Sequence, residues 1–181
     1  MSAIEILRSV LRGVLAAAVL GACGAPPPRA PAAPATAAPA RSEPVSFAYA
    51  TLDGRRATSA SLRGRLTLVT LLATYDLASQ AQARFVKAVA LRHVPRINAF
   101  ALVLEPEPNR PLVEAFVAAL DLPFAVAMGD EAAIAGRAPF PGLHHVPSVV
   151  LLDREGREVW RAVGLADEQI LHEALREHEG R

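Results

Sequence analysis

Hydrophobic and polar positions along this chain change period several times, and each change predicts an element. Residues 66–72, Leu-Thr-Leu-Val-Thr-Leu-Leu, form an uncharged, mostly apolar run of strand length, the pattern expected where both faces of a sheet are covered. Between Gln80 and His93 the apolar residues Phe85, Val86, Val89 and Ala90 recur at helical spacing, and Ser79 with Gln82 three residues on reads as a capping box at that helix's start. A second strand is predicted over 99–104, followed by Glu105-Pro106-Glu107-Pro108-Asn109 and a helix opened by Pro111 and faced by Leu112, Phe116, Val117 and Leu120. Residues 124–128 are short and apolar, and 130–135 suit a brief helix. Val149-Val150-Leu151-Leu152 meets a turn at Asp153-Arg154-Glu155-Gly156, a strand follows over 157–163, and Ile170, Leu171, Ala174 and Leu175 stripe the last helix. Ahead of all these, 47–52 and 55–58 flank Asp53-Gly54, a hairpin signal. The order predicts an α/β domain with a mixed central sheet, an N-terminal β-hairpin and helices on both faces. No internal repeat is visible.

The first 44 residues follow other rules. Arg8 and Arg12 precede an uncharged apolar stretch over 13–22, about half the length that a membrane-spanning helix needs and typical of a secretory signal. It ends in Leu20-Gly21-Ala22-Cys23, which resembles the lipobox of bacterial lipoproteins and implies that Cys23, the chain's single cysteine, is diacylated and becomes the new N-terminus. Gly24 in place of an aspartate after that cysteine points to the outer membrane by the sorting rule of some bacteria. From 24 to 44 the chain is mostly Ala and Pro, a semi-rigid spacer of roughly 60 Å at full extension. Three regions are therefore expected: a signal peptide over 1–22, a lipidated cysteine and linker over 23–44, and a folded domain over 45–181.

Composition narrows the function. A hydrophobic content of 52% exceeds what a disordered chain carries. Without Arg8, Arg12 and Glu5 the 19 basic and 18 acidic residues become 17 of each, so the mature chain has no electrostatic case for binding nucleic acid.

Within the domain, Leu52-Asp53-Gly54, Ser61-Leu62-Arg63-Gly64-Arg65, Leu72-Ala73-Thr74-Tyr75 and Val146-Pro147-Ser148 ahead of 149–156 occur in an order and spacing that resemble the thioredoxin-like superfamily, most closely its TlpA/ResA and peroxiredoxin-related (redoxin) branch. The resemblance covers 45 to about 178. It implies a thioredoxin-like fold in which the strand at 66–72 ends in a Trp-Cys-x-x-Cys site. Here Tyr75 takes the tryptophan position, Asp76 that of the attacking cysteine, Leu77 and Ala78 the middle pair, and Ser79 that of the resolving cysteine. Thiol-disulfide exchange needs a thiolate attacking another sulfur, and neither side chain has one. No cysteine follows Cys23, so a peroxidatic thiol and an internal disulfide are excluded too. Asp76 and Ser79 are also good helix caps.

The resemblance further implies a cis-proline at Val146-Pro147, whose preceding residue offers backbone hydrogen bonds to an extended partner chain. The expected site is thus a binding cleft of Tyr75, Asp76, Ser79, His145, Val146 and Pro147, with no catalytic residue and no cofactor. The expected partner is an envelope protein or peptide, met by a lipid-anchored module that faces the periplasm.

Three other readings stand beside it. Family-level naming gives a TlpA-like thiol-disulfide oxidoreductase. Copper or zinc binding would use His144 and His145, joined by Asp76 or Glu105. Counting back from Leu151-Leu152, His145 falls near the histidine ligand of Sco-type copper chaperones, but Asp76 and Gln80 hold the positions of their two cysteines, so a copper(I) site lacks its soft ligands. An acid-nucleophile-base set of Asp76, Ser79 and His145 lacks a supporting nucleophile elbow. Glu105-Pro106-Glu107-Pro108 reads as a solvated connection, Trp160 and Tyr75 as packing aromatics with Tyr75 also at the cleft, and Phe140-Pro141-Gly142-Leu143 as a mildly apolar contact loop.

Overall fold

The seven residues of the uncharged run are all buried, and they form the central strand of a five-stranded sheet. The computed structural model describes residues 43–93 and 95–179. The signal segment, Cys23 and nearly all of the linker lie outside the described residues. In chain order the elements are β1 (Ala48–Ala50), β2 (Arg56–Thr58), β3 (Leu66–Leu72), α1 (Leu77–His93), β4 (Ile97–Val103), α2 (Arg110–Leu120), β5 (Ala125–Met128), α3 (Glu131–Ile134), β6 (Ser148–Leu152), β7 (Glu158–Val163) and α4 (Glu168–Glu179). The sheet runs β5-β4-β3-β6-β7, with β3, β4 and β5 mutually parallel and β6 and β7 antiparallel to their neighbours.

Period-2 alternation divides the strands between two faces. Leu66, Leu68 and Leu72 of β3, with Val149 and Leu151 of β6, meet Val86 and Val89 of α1, Val113 of α2 and Leu171 and Leu175 of α4. Val69, Leu71, Phe100, Leu102, Val150 and Leu152 point the other way, where the β1–β2 hairpin, the short α3 and the loop over 137–147 cover them. The three long helices therefore share one face, and α3 is the helix of the other. Two crossovers, β3-α1-β4 and β4-α2-β5, advance in the same direction along the sheet, which for right-handed units puts both helices on one side.

The hairpin forms its own two-stranded pair, Ala48 opposite Thr58, with Gly54 in its turn at φ 79°, a left-handed value that glycine reaches without steric cost. It is stitched to the large sheet where the Leu52 N–H donates to the Val126 carbonyl at 2.8 Å. Phe47 stacks on Phe100 with ring centroids 5.7 Å apart. Phe140 and Leu143, expected to form a contact surface, are only 2% exposed and belong to this core, because the uncovered face of β3 and β4 needs more apolar area than a three-residue hairpin strand supplies.

Two side chains lock α1 to α4. Gln82, expected in a capping box, is fully buried and exchanges two hydrogen bonds with the backbone of Ala166: its amide donates at 3.0 Å and its carbonyl accepts at 2.8 Å. At the other end of the seam, ring nitrogens of His93 and His172 lie 3.1 Å apart. A hydrogen bond between two imidazoles needs one donor and one acceptor, so both rings cannot be protonated without opposing two N–H groups. Burial first, then the neighbouring His172, hold the His93 pKa below the ordinary histidine value, while Glu179 at 3.6 Å opposes the shift. A depressed value in the fold means that the unfolded chain takes up the proton more readily. The stability contributed is therefore complete above about pH 6.5 and is lost as the pH falls below it. The urea midpoint is expected to fall between pH 7.5 and 5.5, and His93→Gln to flatten that dependence; a slope identical to that of the parent protein removes the His93 contact as its source.

Candidate functional site

At the end of β3 the chain turns through Ala73-Thr74-Tyr75 into α1, and the turn is held by side-chain oxygens. The Asp76 carbonyl accepts the first helical bond from the Gln80 N–H at 3.3 Å. Its carboxylate accepts from the Ser79 N–H at 2.7 Å and from the Ser79 hydroxyl at 2.6 Å. Asp76 is thus the N-cap, and the helix starts three residues earlier than a cap at Ser79 would give. Serine and aspartate are both good caps, and sequence alone does not tell which of the two the strand end will select. Here the Ser79 hydroxyl is taken up elsewhere: fully buried, it also accepts the Ala73 N–H at 3.2 Å and ties the residue just after β3 to the helix.

Glu105 is 1% exposed and not solvated as expected. One of its carboxylate oxygens accepts the Thr74 N–H and the other the Asn109 side-chain amide at 2.8 Å. A buried carboxylate is tolerable only with such partners, and these two bind the β3–α1 turn to the turn after β4. Tyr75 is 77% exposed, so it is no packing aromatic, and Leu77 beside it is 79% exposed. Trp160 is buried against α4 as expected.

The antiparallel register brings the proline loop to the same place. Leu71 pairs with Ser148, so Leu72 and Ala73 lie across from Pro147 and Val146. The Val146–Pro147 peptide bond is cis, as is Ala138–Pro139. The Pro147 carbonyl accepts the Gly164 N–H at 2.9 Å, which adds the end of β7 to the group. Among the described residues, neither the N–H nor the carbonyl of Val146 makes a hydrogen bond, and its side chain is half-buried. The loop that carries it is anchored from β7: Arg161, paired with the buried Glu158, donates to the Pro141 carbonyl at 3.1 Å.

His144 and His145 are exposed, with ring centroids 4.1 Å apart, and the His145 carbonyl accepts the Ser148 hydroxyl at 2.7 Å. Neither ring bonds to Asp76, Ser79 or Glu105. The imagined acid-nucleophile-base set is not assembled, since the Ser79 proton already goes to Asp76 and no imidazole reaches it. Among the described residues, no group of three or more His, Cys, Asp or Glu side chains is placed to hold a metal ion.

One feature escaped the sequence. A cavity of about 470 Å³ opens beyond the C-terminal ends of β4 and β5, with Glu107, Arg110, Asp130 and Glu131 in its lining. Burial and, secondarily, Asp130 push the phenol of nearby Tyr49 up to about 12. The pointer to the cavity was the rule that open parallel sheets leave crevices at the carboxyl ends of their strands.

No family model matches the sequence, and no curated protein matches it. Solved structures do. A thiol:disulfide interchange protein of the thioredoxin family from Chlorobium tepidum is 20% identical, with a TM-score of 0.61 over 81% of this chain and 98% of its own. The exposed lipoprotein thioredoxin of Streptococcus pneumoniae is 15% identical, with a TM-score of 0.63 over 73% of this chain and 98% of its own. The chain has a thioredoxin-like fold. A secreted Mycobacterium tuberculosis disulfide oxidoreductase is similar as well, 18% identical, with a TM-score of 0.61 over 74% of this chain and 96% of its own. Identities this low carry the thioredoxin-like fold and not an activity.

Two outcomes follow from the cap. Asp76→Ala removes the acceptor of the Ser79 N–H and hydroxyl and is expected to cost about 1–2 kcal/mol in a denaturant titration. Asp76→Cys combined with Ser79→Cys places two thiols at the N-cap and third helical positions, where they are expected to form an internal disulfide under mild oxidant; thiol counting and mass spectrometry read the result, and two persistent free thiols would contradict this alignment of the site.

Proposed function

We propose that this domain is a non-catalytic protein- or peptide-binding module of the cell envelope, tethered through a lipidated Cys23. The open backbone of Val146 carries the proposal: an N–H and a carbonyl beside a buried proline, without partners among the described residues, suit an extended chain docking across them. Exposed apolar residues support it. Of six large hydrophobic side chains that stand exposed among the described residues, Tyr75, Leu77, Val163 and Leu165 lie at the end of the sheet that holds Asp76 and Pro147. Apolar area gathered around unpaired backbone groups is what a peptide ledge requires. An exposed lipoprotein and a secreted protein among the structures of the same fold support the envelope location.

The side chains at the redox positions favour binding over exchange. Asp76 and Ser79 hold each other and the strand end, and the one cysteine of the chain lies in the segment before the domain. In a disulfide-reductase assay with dithiothreitol as reductant and a disulfide-bonded substrate, the protein is expected to show no turnover above the buffer blank. Turnover above that blank refutes the non-catalytic reading. Binding is tested separately with a library of extended, apolar peptides followed by NMR shifts. Perturbations are expected at Val146 and Leu77, and Tyr75→Ser with Leu77→Ser is expected to weaken the best binder by tenfold or more; a full-strength complex with shifts elsewhere removes the ledge from the account.

A further inference from the structure

The chain enters the domain at the pole opposite the site. Pro44 forms an antiparallel bridge with Arg157, and the Val45 N–H donates to the Gly156 carbonyl at 2.8 Å, both just ahead of β7. This is the end where β3 and β4 begin and β6 finishes, whereas Asp76, Pro147 and Leu165 occupy the other end. The two poles differ in charge. At the entry pole Arg63 and Arg65 precede β3, Arg96 precedes β4 and Arg154 sits in the β6–β7 turn, all four exposed. The Gly64 N–H donates to the Arg154 carbonyl at 2.8 Å, which holds the two arginine-bearing turns together, and the Arg63 side chain reaches across to Gly156.

The acids of this pole are Glu43, exposed beside the entering Pro44, with Asp153, Glu155 and Glu179. Asp153 and Glu155 both pair with Arg157, at 2.9 and 3.0 Å. Glu179 faces His93, and its backbone carbonyl accepts from Arg154 at 3.1 Å. Arg63, Arg65 and Arg96 form no ion pair among the described residues. A shallow cavity of about 390 Å³ lies beside Arg96, lined also by Gly64, Leu66, Ile97, Arg154 and Glu179. At the site pole the balance reverses, with Asp76, Glu105, Glu107, Asp130 and Glu131 around Arg110. Three exposed arginines without an ion partner among the described residues, Arg63, Arg65 and Arg96, thus stand where the chain enters the domain.

We propose that this basic pole docks on anionic phospholipid headgroups, so that the domain rests on the bilayer with its candidate binding ledge facing away. The proposal rests on the tethered reading given above. A linker as long as residues 24–44 leaves the orientation open, and attraction to an anionic surface fades within a Debye length of about 10 Å. The tether supplies the proximity that so short-ranged an attraction needs. Each exposed arginine near such a surface is attracted to it, and the acids of the opposite pole are repelled, so one orientation prevails.

The full chain is incubated with vesicles of phosphatidylcholine alone or with about 30% phosphatidylglycerol, and arginine modification by phenylglyoxal is followed residue by residue. Cosedimentation with the neutral vesicles reads the tether, and a chain that stays in the supernatant refutes the tethered reading without deciding the pole. In the anionic vesicles, modification of Arg63, Arg65 and Arg96 is expected to slow at least threefold, to recover in 0.5 M salt, and to leave Arg110 unchanged. Arg63→Glu with Arg65→Glu and Arg96→Glu is expected to abolish the protection of Arg154. Equal rates in the two vesicle types, equal slowing at Arg110, or persistent Arg154 protection in the triple variant overturns the proposal. Equal protection by soluble glycerol phosphate also overturns it, in favour of a free-anion site.

Discussion

The complete burial of β3 is the constraint on which the rest of the molecule depends. A strand with seven buried residues needs a neighbour along each edge and a cover on each face, and every large element supplies one of these. β4 and β6 take the edges, α1, α2 and α4 take one face, and the hairpin with Phe140 and Leu143 takes the other. The strand must also end without orphaning its last N–H groups inside the protein. Ala73 gives its N–H to the Ser79 hydroxyl and Thr74 gives its own to Glu105, so the turn that forms the candidate site is first of all the terminus of the central strand.

This double duty explains how a site can lose its chemistry without losing its shape. In the redox pattern two sulfurs occupy the helix start; here an aspartate caps the helix and a serine links it to the strand. Both oxygens accept or donate where a thiol would do so weakly, so the turn gains hydrogen bonds as it loses the nucleophile. The proline loop is built independently of that exchange. It is fixed by the Leu71–Ser148 register, by the Gly164 bond and by Arg161 holding the Pro141 carbonyl. None of these supports passes through Asp76 or Ser79, so the edge at Val146 does not depend on which residues occupy the redox positions.

Parallel strands also give the sheet two unlike ends. All three point their carboxyl termini at the site, and the loops there carry Asp76, Glu105, Glu107 and Asp130; the amino-terminal end carries the arginine-bearing turns and receives the chain from its N-terminal segment. The candidate-site loops and the point where the chain enters the domain are thereby separated by the length of the strands.

Much of this was determined by the sequence alone. The period-2 and period-3.6 patterns placed every strand and long helix, because each element shows its buried face in its own residues: Leu66 to Leu72 as an unbroken run, Ile170 to Leu175 as a stripe, Asp53-Gly54 as a turn. Cys23 is the single cysteine of the chain, and the positions that the redox pattern gives to sulfur hold Asp76 and Ser79. What only the tertiary structure decided concerns partners distant in the chain. Whether Asp76 or Ser79 caps α1 depends on where the β3 end lies, and whether Gln82 serves a cap or a buried backbone depends on Ala166, 84 residues away. Glu105 looked solvated until Thr74 and Asn109 enclosed it, and Phe140 looked exposed until the hairpin proved too small to cover its face. Local pattern records which residues leave water; only packing decides what they meet when they do.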